Sequence, residues 1–423
     1  MDFDGRVPRI SREVEKMRVG IGWCNEKDSF SSGKKVARLA MQNGDIDRPD
    51  LVLSFCSGQN NADEFLGGLQ SVLGGNTPIV GGSAIGIITN DYLSYEGSPT
   101  GVAIIQSAAI QQEIAVVGDL DKDEKTVGQK LGTQLSNGPE GKVLLIFYDS
   151  IKTPPTDTSP PIMNASPPLI EGIEETLKFR VPIIGAGTIG DYVLGPTNQF
   201  CGSYVASQTA VGVLISGDFE PYFRIAHGCS PKDGIYHTIT KIEGPILYEV
   251  DGKPIVEMID AMYGRQHWRK QRPVNRLTIV VNHGEKYGVF KEGYCVNRLI
   301  AGALPNSKGI VLFEPDLEEG TEILFMLRSG GQMIESAKRN SADLMEQVIA
   351  DGRQPVFGLY IDCAGRTAQV SHTITEEAFE VQKVFNQYDT PLLGFYSGVE
   401  VAPLLGRSRG LDWTGVLLVL ARD

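Results

Sequence analysis

The sequence predicts an α+β protein of two domains, with mixed sheets flanked by helices and built from repeated β-α-β-β units. Three observations carry that expectation. The chain has 423 residues, more than one ordinary core of about 150 residues accommodates. Short apolar runs bounded by turn residues alternate with stretches of helical periodicity. A glycine-containing segment returns along the chain, each time after the same succession of patterns.

The returning segment is Pro78, Ile79, Val80, Gly81, Gly82 and Ser83, continuing to Gly86. It comes back from Pro182 to Gly190, and in a weaker form from Pro391 to Gly398. An apolar strand precedes each copy, at 51–55, 143–147 and 356–361. A helical stretch then follows, at about 61–73, 170–179 and 376–388. In the first helix Phe65, Leu66, Leu69, Val72 and Leu73 recur at helical spacing, which builds one apolar face. Asn60 and Asn61 stand where an N-cap would be, and Asp63 and Glu64 suit the positive end of the helix dipole. A second apolar strand opens on a threonine after each copy, at Thr100, Thr209 and Thr414. The unit therefore reads strand, helix, strand, glycine turn and hairpin return.

Residues 221–329 read differently, as strands at 236–242, 246–250, 277–281, 309–313 and 322–327 separated by loops. Asp251 to Pro254 is a turn signal, and a short helix to Tyr263 follows it. We expect a first domain over 1–218, holding units 18–118 and 119–218, and a second over 219–423.

Composition excludes several classes of function. A net charge of −13 argues against nucleic-acid binding. The basic cluster from Arg265 to Arg272 is local; it reads as a solvated loop, with an anion or partner contact as the alternative. No run reaches the ~18 apolar residues of a membrane helix, and residues 1–18 lack an apolar signal core. The expected address is the cytoplasm. Six scattered cysteines without a Cys-x-x-Cys pair are expected to be buried thiols in a reducing compartment. His227, Cys229 and His237 lack a fourth ligand for zinc, and no metal or cofactor is expected. Gly185, Gly187 and Gly190 match a dinucleotide fingerprint in spacing only, because no helix starts there.

The order and spacing of several segments resemble the FIST (F-box and intracellular signal transduction) family. In the N-terminal half these are Val19 to Gly22, Leu51 to Cys56, Pro78 to Gly86, Pro182 to Asp191 and Thr197 to Phe200. In the C-terminal half they are Gly228 to Pro231, Ile246 to Pro254, Val296 to Arg298, Phe325 to Arg328, Cys363 to Arg366 and Gly394 to Glu400. The resemblance implies a sensor for a small intracellular ligand, amino acids among them. With no stretch left over for an output module, signalling is expected to pass through a separate protein partner.

Candidate ligand-binding residues fall at strand ends, where ligands of open sheets gather. Cys56 and Ser57 end one such strand, and Asp149 and Ser150 are expected to match them in the second copy. Gly81, Gly82 and Ser83 offer amides and a hydroxyl, and Asp191 follows the second glycine segment. Cys363 and Arg366 lie past a third strand, where Arg366 would grip a carboxylate and Glu400 an amine; their structural alternative is an ion pair. Arg298 and Arg328 are further candidates of the same kind. The rival reading is a thiol-dependent hydrolase or transferase in which His372 activates Cys363, and a ligand-free scaffold is the third.

Overall fold

The computed structural model of the chain describes residues 17–156 and 161–423. The N-terminal stretch read for a signal segment lies outside the described residues up to position 16. No helix among the described residues is long and apolar enough to cross a membrane.

Each copy of the repeat starts one strand and one helix earlier than its sequence pattern marks. In the first copy, strand Arg18–Asn25, helix Ser29–Gly44, strand Leu51–Ser57, helix Ala62–Leu73 and strand Ile79–Ala84 follow in turn. Strand Pro99–Gln106 then inserts between the first two strands, antiparallel to both. The strands joined by the second helix run parallel, as a crossover connection requires. The same order recurs with Ile110–Val117, Ala210–Gly217, Val143–Asp149 and Ile183–Thr188. It recurs again with Glu220–Ala226, Gly415–Arg422, Gln354–Cys363 and Leu392–Ser397.

The hairpin that follows the parallel pair leaves its own sheet. Ile87–Thr89 of the first unit pairs with Leu392–Ser397 of the third. Gln199–Cys201 of the second pairs with Ile79–Ala84 of the first. Val399–Leu404 of the third pairs with Ile183–Thr188 of the second. The exchange is cyclic, and two of its three pairings join strands from opposite sides of residue 218. The three six-stranded sheets share a core in which Phe55 stacks on Phe395 at 3.9 Å and meets Phe147 edge-on at 5.1 Å.

The glycine segments, expected as tight turns, are buried strands instead. A Cβ on Gly81 would lie 1.9 Å from the Ser54 carbonyl oxygen, and one on Gly185 would lie 1.9 Å from that of Ile146. At φ +145° Gly81 also occupies backbone space that side chains rarely allow. Glycine serves the helices too. Gly33 and Gly68 let the first helix pair touch backbone to backbone, and Gly128 and Gly172 do so for the second.

The third unit is interrupted after Glu220–Ala226 and resumes with the helix Gly330–Ala350. The intervening chain forms an antiparallel sheet with helix Ile255–Tyr263 packed on it. Ile239, Leu247, Ile259, Trp268 and Phe325 belong to its separate apolar core. The turn at Asp251 and Gly252 forms as expected, with both residues at positive φ.

Candidate functional site

Most of the predicted binding residues have their polar groups engaged within the fold. Gly81, Gly82 and Ser83 are buried in a strand, where the Ser83 amide donates to the Asn198 carbonyl at 2.8 Å. The Ser83 hydroxyl oxygen accepts from the Asn198 amide at 3.0 Å. Ser57 accepts from the Gln59 amide at 3.2 Å, and burial pushes the Cys56 thiol up to about 12. Asp191 closes its own loop by accepting from the Val193 and Gly195 amides. It does share a cleft of about 570 Å³ with Ser57 and Tyr192. Strand register aligns Cys56 and Ser57 with Tyr148 and Asp149, and with Asp362 and Cys363. The second-copy equivalents are thus one residue earlier than Asp149 and Ser150.

Arg366 and Glu400 do not form a carboxylate-and-amine clamp, nor do they pair with each other. The Arg366 guanidinium grips Glu377 with Nε and Nη2, both at 2.6 Å. Its Nη1 donates to the carbonyls of His227 and Trp413. Asp362 lies 3.2 Å away on the same guanidinium. Glu400 accepts from the Ser397 hydroxyl at 2.8 Å and the Thr414 amide at 3.1 Å. Arg298 is likewise committed, pairing with Asp316 and donating to the Gly410 carbonyl. The Arg298–Gly410 bond ties the inserted sheet to the third unit. Cys363 is buried, and burial pushes its thiol well above the ordinary range, so the thiolate needed for nucleophilic attack is disfavoured.

Arg328 is different. It ends the last strand of the inserted sheet, immediately before Ser329 caps the helix Gly330–Ala350. Only 6% of its surface is exposed, yet no carboxylate pairs with it among the described residues. Its guanidinium lies over the Trp413 ring, 3.5 Å from the centroid. Nε has no hydrogen-bond partner, and Nη2 points at the Met333 thioether at 2.9 Å. Burial, with the Arg366 charge adding to it, pushes the Arg328 guanidinium down to about 9. Cation–π attraction of about 2 kcal/mol offsets part of that cost. The Trp413 indole N–H is also buried without an acceptor.

Arg328 and Trp413 border a cleft of about 1160 Å³ between the inserted sheet and the third unit. Lys232, Arg265, His267, Arg276 and His372 line it as well. No aspartate or glutamate does. Lys232 pairs with Asp233, which stands outside the lining. Arg265 and His267 reach the cleft because their loop is pinned by Asp260, which accepts from the Trp268 indole at 2.9 Å and pairs with Arg269. Gly330 and Gly331 add the first turn of a 21-residue helix, whose free amides and dipole favour an anion. Gly330 borders the cleft directly.

A profile of the FIST N domain matches residues 50–253, and one of the FIST C domain matches residues 259–403. The chain belongs to the FIST family. FIST domains are associated with sensing in signal transduction. No curated protein matches the chain. Among solved structures, cyanuric acid hydrolase from A. caulinodans aligns at 10% identity and TM-score 0.25, covering 48% of this chain and 71% of that one. PurLQS from Thermotoga maritima aligns at 8% identity and TM-score 0.23, covering 96% and 72%. Likenesses this low say nothing about what this FIST protein does.

Sequence reasoning ranked Arg328 below Arg366 and missed the partners that set it apart. Nothing in the sequence singled out Trp413, and the basic loop reads as a solvated surface. Gly330 and Gly331 before a long helical stretch were the available signal for an anion-binding terminus.

Proposed function

We propose that this FIST protein is a cytoplasmic sensor in signal transduction that takes a small polar metabolite with an anionic group into the Arg328–Trp413 cleft. Acidic amino acids are within that class, and the output passes to a separate protein partner, with neither nucleic acid nor membrane insertion involved. The observation that supports this reading is a buried guanidinium with no carboxylate, facing a cleft whose two walls belong to different packing units. A ligand touching both walls stabilises one arrangement of the inserted sheet on the third unit, which is a population shift. The role is binding without catalysis. A hydrolase or transferase at Cys363 has no activated thiol to support it.

The test is a thermal-shift screen of small acids against wild type and Arg328→Gln. A ligand at 100 times its dissociation constant adds about 2.7 kcal/mol of stability. We expect a shift in wild type that vanishes in the variant. Equal shifts in the two proteins, or none in either, would refute the proposal.

A further inference from the structure

We infer that the ligand of this cleft is a multiply charged anion, a phosphate ester or a di- or tricarboxylate, and not a zwitterionic amino acid. The inference deepens the reading of the cleft as a binding site and rests on it.

The first argument is what the lining lacks. A zwitterion brings an ammonium that must leave water, and a buried ammonium without a carboxylate partner is costly. Glu400, the side chain predicted to receive it, is buried against Ser397 and Thr414 and does not border the cleft. Three carboxylates outside the lining already have partners: Asp260 holds Arg269, Asp233 holds Lys232, and Glu377 holds Arg366.

The second argument is how much positive charge is left over. Arg265, Arg276 and Arg328 all border the cleft, and none has an ion-pair partner among the described residues. A single carboxylate neutralises Arg328 and leaves the other two uncompensated. The chain as a whole carries −13, so a cleft this basic stands against the field of the molecule. Walls of one sign focus that potential and draw in ions of the other.

The third argument is geometry. Arg328, 6% exposed, borders the cleft beside the half-exposed N-terminus of a 21-residue helix, together a receptor for an oxyanion. Arg265 and Arg276 are exposed on the inserted sheet's own wall, nearer solvent, where the Arg276 carbonyl accepts from the Arg328 amide at 3.0 Å. One anionic group at Arg328 and a second toward the rim satisfy both ends. Tyr263, whose buried hydroxyl lies beside the Arg276 backbone, also borders the cleft.

Isothermal titration at fixed ionic strength tests this with pyrophosphate, citrate and succinate on one side and acetate, alanine and glutamate on the other. Wild type is compared with Arg328→Gln and with Arg276→Gln, an exposed position. Pyrophosphate or citrate is expected to bind, and the stronger of the two assigns the phosphate or carboxylate source. Loss of a buried charge pair is expected to weaken that binding at least about 30-fold in Arg328→Gln, and Arg276→Gln to weaken it by roughly 5-fold. Binding should also fall as salt rises. Alanine or acetate binding as tightly as the polyanions, yet lost in Arg328→Gln, would overturn the polyanion inference and leave the cleft standing. Polyanions binding equally to wild type and Arg328→Gln, or not at all, would overturn both.

Discussion

A buried cation without a counter-ion costs stability, and Arg328 bears that cost between Trp413 and Arg366. Replacing it with an apolar side chain of similar length removes the cost. We expect Arg328→Met to stabilise the ligand-free protein by roughly 1–3 kcal/mol, read as a higher denaturant midpoint at unchanged slope; a less stable variant would contradict this. Gly365 is the second residue on which the site turns. A Cβ there would lie 2.2 Å from the Trp413 indole nitrogen, so Gly365→Ala has to push the indole off Arg328. Overpacking of this kind costs about 1–3 kcal/mol, and ligand binding should fall with it. A variant that binds as wild type would show that the stack is dispensable. Trp413 itself sits at φ +52°, an uncommon conformation for a large side chain. Arg328, Arg366 and Glu400 were all visible as charged residues near strand ends. Their roles were not, because Glu377, the His227 carbonyl and the Trp413 ring reach them only through tertiary packing.

At the scale of elements, the junction between the inserted sheet and the third unit turns on His227. It lies between strand Glu220–Ala226 and the insert, and its Nε2–H donates to the Cys295 carbonyl at 2.8 Å. The Asn297 amide stands 3.2 Å from Nδ1, which suits a neutral ring. Burial pushes the His227 imidazole down to about 4, against the opposing pull of Glu292. The unfolded chain takes up a proton near pH 6.5, whereas the folded chain does not until about pH 4. His227 therefore contributes stability that is complete above pH 6.5 and is lost as pH falls from there toward 4. Comparing wild type with His227→Gln isolates this effect. The difference in unfolding free energy should shrink through that window, and a constant difference would contradict the assignment. The crossover helix of each repeat and the strands that flank it were legible because their periodicities are local, whereas the leading helices Glu124–Leu135 and Gly330–Ala350 were not read. The leading strand Ile110–Val117, with Gln111, Gln112 and Glu113 in succession, was not, because its sequence carries no continuous apolar run.

At the scale of the whole molecule, the sequence shows the repeat but not the exchange between its copies. Two-residue turns and short apolar runs announce a hairpin; nothing local says which sheet it will join. The consequence is that residues 1–218 lack an edge partner. Without Val399–Leu404, strand Ile183–Thr188 loses its antiparallel neighbour, and hairpin Ile87–Thr89 has no sheet to extend. An exposed apolar edge is a template for aggregation. A fragment of residues 1–218 made alone should be insoluble or should unfold without a cooperative transition, and co-expression with 219–423 should rescue it. A fragment that folds cooperatively by itself would show that the exchanged strands are dispensable. The same triplication explains why the cleft is asymmetric. Ser57, Asp149 and Cys363 end equivalent strands, but only the third copy has a sheet inserted beside it.

The claim tested most directly is that Arg328 waits for an anion. With ¹⁵N-arginine labelling, the Nε–H resonance absent from Arg328→Gln identifies this side chain, whose Nε now lacks an acceptor. Titration with pyrophosphate and with citrate should move that resonance saturably with at least one of them, to the position of a charge-assisted hydrogen bond. A resonance that stays in place while either anion saturates the protein would contradict the account.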